Sequence, residues 1–323
     1  MLGTVLIATV LGHLPACAQD LHPRSGTIEF KPEGNETKTP QLYRLDRHEF
    51  SYHLVPQREM PGCGIDVFRL DFPSPVQSKT PENNTVWAEY YRPRGAGPFP
   101  ATIVLDITAG DQSLSRTIST VLAQNHIAAL FVQMAYYGPR RPPGSRFRLL
   151  SPDVKQTMEA VRQSVLDIRR AGAWLAAQPE IDRAKIGILG TSLGSLVGTL
   201  AAEMEPRFAK VVILLGGGDL VDAYYDHPRA RFMRKIYEAC GGTKEELARH
   251  LAPVDPVTGA DRLRGRAVLM IAAKRDQIIP ASATLALWNA AGQPRIIWYD
   301  CTHYGAALYF ATIMREVTAF LRS

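Results

Sequence analysis

Cysteine is scarce in this chain: four in 323 residues, at positions 17, 63, 240 and 301. None stands in C-x-x-C spacing and there is no H-E-x-x-H, so neither a dithiol redox centre nor a zinc site is expected, and no metal or cofactor is assigned. Internal repeats and long low-complexity tracts are absent, which excludes a solenoid. Charge is sparse too. Only 21% of residues are charged and 46% are hydrophobic, which suits one large α/β domain or two small ones. The formal charge of +6 is diffuse, with no basic run interleaved with aromatics, so nucleic acid is not expected as a partner.

Residues 1–18 contain no Lys, Arg, Asp or Glu. Met1 to Leu14 is mostly apolar but falls short of the about 20 residues that a membrane-spanning helix needs. Ala16-Cys17-Ala18 fits the small-x-small rule for signal cleavage. Residues 1–18 are therefore expected to be an export signal, which places the protein in the periplasm, outside the cell or on a lipid anchor. Leu14-Pro15-Ala16-Cys17 also has the look of a lipobox, which would tie Cys17 to a membrane through a lipid. A core strand or a mis-called start codon is the competing reading. With the signal removed three cysteines remain, and a Cys240–Cys301 bridge and buried free thiols are both open.

Residues 19–46 are polar and rich in Pro, Gly, Thr and Lys, and read as a flexible leader to a domain spanning 47–323. Three strands follow, Glu49 to Val55, Ile65 to Phe72 and Thr85 to Tyr91, with connections short enough for antiparallel pairing. From Ala101 the pattern alternates. Strands are expected at Ala101–Ile107, Ile127–Val132, Ile186–Leu189, Val211–Leu215, Ala267–Ala273 and Arg295–Tyr299. Helices are expected at Ser113–Asn125, from Ser151-Pro152 to Ala177, and at Leu193–Met204, Ala281–Ala291 and Ala306–Leu321. Such alternation predicts an α/β fold: a mostly parallel sheet with helices on both faces and antiparallel strands at its N-terminal edge. Two stretches break it, Tyr136 to Leu150 and a helical insertion at about 219–255. Both should emerge at the C-terminal ends of strands and wall a pocket.

Gly190-Thr191-Ser192-Leu193-Gly194 is a G-x-S-x-G pentapeptide between a strand and a helix, the context of a nucleophile elbow. A serine hydroxyl needs a base in reach and an acid to hold that base's tautomer. Asp276 and His303 each follow a predicted strand, at the same sheet edge as Ser192. Asp219, after Gly216-Gly217-Gly218, is the alternative acid. His126, His227 and His250 are poorly placed as bases. An oxyanion hole would use the backbone N–H of Leu193 and one from the loop after Ala101–Ile107, with Thr108 first choice and Ile107 next. In the proline-rich loop Tyr136, Tyr137 and Arg140 are taken as substrate-pocket residues. Arg140, Arg141, Arg146 and Arg148 read either as a receptor for a carboxylate-bearing substrate or as a solvated face.

From about Glu49 to its C-terminus the chain resembles the α/β-hydrolase superfamily, especially the esterase and dienelactone-hydrolase-like branches. The resemblance implies attack by Ser192 on a carboxylic ester, an acyl-enzyme, and its hydrolysis by water activated through His303. Asp106-Ile107 departs from the His-Gly usual in such enzymes, which bears on the second oxyanion donor. The expected substrate is a small-molecule or carbohydrate-linked ester. A lipase or thioesterase, a peptidase, and an inactive binding protein on the same scaffold are the alternatives.

Overall fold

The computed structural model describes residues 21–323 apart from 109, 146, 147, 152 and 229. The expected export signal, with Cys17, lies outside the described residues, as does Arg146. The strands are β1 Arg24–Phe30, β2 His48–Met60, β3 Ile65–Pro73, β4 Thr85–Pro93, β5 Phe99–Leu105, β6 Ala128–Val132, β7 Ile181–Thr191, β8 Lys210–Leu214, β9 Ala267–Ala273 and β10 Arg295–Tyr299. The helices are α1 Ser113–Gln124, α2 Val154–Ala176, α3 Leu193–Met204, α4 Leu220–Tyr224, α5 Arg231–Ala239, α6 Lys244–Leu251, α7 Pro256–Gly259, α8 Ala281–Ala290 and α9 Phe310–Arg322.

The strands form one sheet in the order β1-β2-β3-β4-β6-β5-β7-β8-β9-β10. From β6 to β10 neighbours run parallel, while β1 to β4, and the β4–β6 pair, are antiparallel. The expected α/β architecture is thus present, with the antiparallel strands at the N-terminal edge. Successive side chains of a strand point to opposite faces. On β7, Ile186 and Ile188 join a core shared with α2, α3 and α8, while Leu189 joins the core under α1 and α9. Helices therefore cover both faces. The chain leaves β5 for β6 on one side and returns to β7 on the other. This reversal opens a crevice beyond the C-terminal ends of β5 and β7, where open sheets bind ligands.

Residues 24–46, expected to be a mobile leader, are instead built into the domain. β1 pairs antiparallel with β2 from Arg24↔Leu54 to Phe30↔His48. Phe30 is fully buried, with the guanidinium groups of Arg169 and Arg207 5.4 and 5.8 Å from its ring centroid. Glu36 receives a two-pronged bond from the buried Arg169, at 2.7 and 2.8 Å, and Tyr43 donates to Pro253 O at 2.8 Å. The strand was hidden because its outward face carries Ser25, Thr27 and Glu29 and its inward face mixes Arg24 and Gly26 with Ile28 and Phe30, which leaves no apolar alternation to read. A smaller correction concerns α2. Asp153, rather than Ser151, caps it, accepting from Lys155 N and Gln156 N. Cys63, Cys240 and Cys301 are all free thiols.

On α3, Glu203 is 5% exposed, and neither carboxylate oxygen has a hydrogen-bond partner among the described residues. Burial, with Asp255 and Asp261 nearby, holds its carboxyl well above the ordinary glutamate value of 4.5, against the pull of Arg262 and Arg266. The folded chain thus binds this proton more tightly than the unfolded chain, and stability is lost as pH rises above about 4.5. Glu203→Gln keeps the shape and removes the ionisation. It should raise unfolding stability at pH 8 by about 1.4 kcal/mol for each pH unit by which folding lifts this carboxyl above its ordinary value, and leave it near the parent at pH 4, where the glutamate is already protonated and the amide is no better partnered. Denaturant titrations at the two pH values measure both quantities.

Candidate active site

Ser192 lies between β7 and α3 with φ 53° and ψ −114°, a conformation that costs a non-glycine residue about 1–3 kcal/mol. Its surroundings impose it. Ser192 N donates to Leu214 O on β8 at 2.9 Å, and Ser192 O accepts from Ser195 N at 3.0 Å and Ser195 Oγ at 2.6 Å. The two glycines of the pentapeptide allow the turn to close. A Cβ on Gly190 would run into the carbonyl of Gly194, and one on Gly194 would lie 2.5 Å from Leu105 O and 2.6 Å from Asp106 O. The start of α3 therefore rests directly on the end of β5.

The structure brings the three expected side chains together. Asp276 follows β9 and His303 follows β10. The two loops are laced by Lys274 N to Tyr299 O at 2.9 Å and Arg275 N to Cys301 O at 3.0 Å. His303 Nδ1 is 2.7 Å from Asp276 Oδ2, and His303 Nε2 is 3.1 Å from Ser192 Oγ. Asp276 Oδ1 accepts from Ile278 N at 2.7 Å and Ile279 N at 2.8 Å, which fixes the carboxylate plane. A carboxylate only accepts, so Nδ1 carries the imidazole proton and Nε2 is left to accept from the serine. Ser192 is 6% and His303 7% exposed, so the chain of bonds is shielded from bulk water. Asp219 is not part of it, because both ring nitrogens of His303 are taken by Asp276 and Ser192. His126, His227 and His250 form no part of it either.

Leu193 is the first residue of α3, where a backbone N–H has no intrahelical acceptor and the helix dipole favours negative charge. Thr108 lines the same two cavities as Ser192. The loop that carries it is anchored on both sides. Ser115 donates to the buried Asp106 at 2.8 Å, and Tyr137 Oη donates to Ile107 O at 3.1 Å. Burial pushes the Asp106 carboxyl above its ordinary value.

The expected pocket residues of the proline-rich loop need correction. Arg140 is fully buried and faces the scaffold, donating to Asp167 at 2.7 Å, Asn83 O at 2.7 Å and Gln133 O at 2.9 Å. Its charge is spent tying the loop to α2, so it greets no substrate. Tyr137 is 8% exposed and supports the Ile107 carbonyl, and Tyr136 packs against the core beneath the loop. Among the described residues from 136 to 150, only Leu150 reaches a cavity beside Ser192. The walls come from elsewhere. One cavity, of about 500 Å³, is lined by α4, α5 and α6 with Leu193 and Leu196, and the other, of about 540 Å³, by α1, α9 and the His303 loop. The sequence pointed to the insertion as a wall but not to the second cavity, whose residues read as ordinary helix.

The prolyl oligopeptidase family model matches residues 158–296. An uncharacterized protein of Mycobacterium tuberculosis is 30% identical over 180 residues, 52% of this chain and 40% of the relative. The chain thus spans about two fifths of that relative's length. Acetyl xylan esterases of a Thermoanaerobacterium and a Paenibacillus species superpose with TM-scores of 0.65 and 0.66, at 20% and 19% identity. They cover 83% of this chain and 87% and 88% of theirs. An esterase of Pyrococcus furiosus gives 0.55 at 15% identity, over 83% and 97%. The chain has the α/β-hydrolase fold.

Gly194→Ala should be intolerable at this elbow, because the methyl group meets two main-chain carbonyls that cannot move without opening the β5–α3 contact. The expected loss is about 1–3 kcal/mol or more, read as a fall in the thermal unfolding midpoint. An unchanged midpoint would contradict the packing described.

Proposed function

We propose that the protein is a serine hydrolase of carboxylic esters. The observation that carries this reading is the continuous chain from Ser192 Oγ through His303 to Asp276, with Ser192 strained at the elbow. Ser192 attacks the ester carbonyl as its proton passes to His303 Nε2. Asp276 holds the Nδ1 proton and stabilises the imidazolium. The tetrahedral oxyanion turns to the Leu193 and Thr108 main-chain N–H groups, where each donor supplies a factor of about 10²–10³. Collapse expels the alcohol, protonated by His303, and leaves an acyl group on Ser192. Water activated by the same imidazole then releases the acid. The esterases among the structural neighbours support the ester as substrate.

The prolyl oligopeptidase match favours amide cleavage as a second reading, and it spans Ser192 and Asp276 but stops before His303. Parallel assays on p-nitrophenyl esters and aminoacyl p-nitroanilides separate the two.

Ser192→Ala should abolish p-nitrophenyl ester hydrolysis, and a fluorophosphonate should modify Ser192 alone, as read by peptide mass spectrometry. Asp276→Asn should lower kcat by about 10⁴-fold through the wrong tautomer, whereas Asp219→Asn should leave kcat near that of the parent. The reverse outcome would move the acid to Asp219.

A further inference from the structure

We infer that this site takes esters that are apolar on both sides of the scissile bond. The acyl chain enters the cavity under α4–α6, and the alcohol enters the cavity between α1 and α9. The inference rests on the reading of Ser192, His303 and Asp276 given above.

The two cavities meet at Ser192, sharing Thr108, Ser192 and Ile278 in their linings. Only the second is lined by His303. In ester cleavage the leaving oxygen must receive its proton from the imidazole, so the alcohol half lies against His303. The acyl half then extends the other way, past Leu193 and under the insertion. Each cavity is of the size that accepts a drug-sized group.

Both linings are mainly apolar, the polar groups of the alcohol cavity being the His303 ring and hydroxyls such as those of Ser113, Thr117, Thr191 and Tyr304. Leu196, Val221, Leu247 and Leu251 face the acyl side, and Leu114, Ile118, Phe310 and Met314 the alcohol side. Arg234 is the one charged side chain among the described residues of the acyl cavity. It is engaged by Asp226 and Glu238 and lies 5.6 Å from the Tyr225 ring centroid. The alcohol cavity has no Asp, Glu, Lys or Arg among its described residues. A sugar placed there would exchange water for a wall that is apolar apart from a few hydroxyls, of which Ser113 and Thr117 already donate to Asp111 and to Ser113 O. The apolar character continues onto the surface of the same elements, with Phe232 and Ile236 exposed on α5 and Leu308 exposed beside α9. The chain therefore differs in substrate class from the acetyl xylan esterases whose fold it shares.

Two series of esters test the assignment. One varies the acyl group from acetyl to octanoyl with p-nitrophenol as alcohol. The other varies the alcohol from methyl to hexyl with butyrate as acid. In the unaltered chain kcat/KM should rise about fourfold per methylene in both, the equivalent of about 0.8 kcal/mol of burial each. Leu247→Trp should lower the octanoyl-to-acetyl ratio by about tenfold or more, the value of two lost methylenes, and leave the hexyl-to-methyl ratio unshifted. Ala307 lines the alcohol cavity, and Ala307→Trp should do the converse. Each ratio is taken within one protein, so partial unfolding of a variant does not alter it. A flat or acetyl-preferring profile, a preference for acetylated xylose, or variants that shift the opposite ratios would overturn the inference. Turnover that survives Ser192→Ala would instead remove the nucleophile on which it rests.

Discussion

The contact between the start of α3 and the end of β5 governs the rest of the site. Gly194 sits against the carbonyls of Leu105 and Asp106, and Gly190 against Gly194 itself. With no side chain at either position, strand, turn and helix close to backbone distance, and Ser192 has no conformation left but the strained one. The strain is held by main-chain bonds to β8 and within α3, not by the hydroxyl, which stays available to His303. The same contact sets Leu193, at the foot of the helix, opposite the Thr108 loop. One packing event thus aims the serine and shapes its surroundings.

Sheet topology supplies the other half. β9 and β10 are parallel neighbours that end in register at Ala273↔Tyr299, so the loops after them leave the sheet side by side. Asp276 and His303 need only a few residues to meet. Asp276 spends one oxygen on the backbone of its own loop and the other on the imidazole, so the ring is oriented before any ligand arrives. Preorganisation of this kind is where such a site lowers its barrier.

Much of this was legible in the sequence, for physical reasons. The strands β9 and β10 and the helix α3 match their expected limits because apolar runs of the right length stop at turn residues. The Ser192, Asp276 and His303 positions followed from the same boundaries. The insertion was visible as a break in alternation. What escaped notice depended on tertiary contact. β1 is an edge strand whose polar face masks its period, and it is fixed by Arg169 and Arg207, more than a hundred residues away. Arg140 reads as a surface charge beside Arg141, yet Asp167 and two carbonyls draw it fully inside. Tyr136 and Tyr137 support the loop from beneath, which no local pattern distinguishes from lining a pocket. The second cavity exists only because α1 and α9, far apart in the chain, flank the same strands.

The central claim is that Ser192 and His303 act as one unit, and a double-mutant cycle addresses it most directly. The quantity is kcat/KM for a p-nitrophenyl ester in Ser192→Ala, His303→Ala and the double variant. Groups that act as a unit are far from additive, so the double variant should be no slower than either single one. Losses that multiply, or substantial turnover in either single variant, would contradict the account.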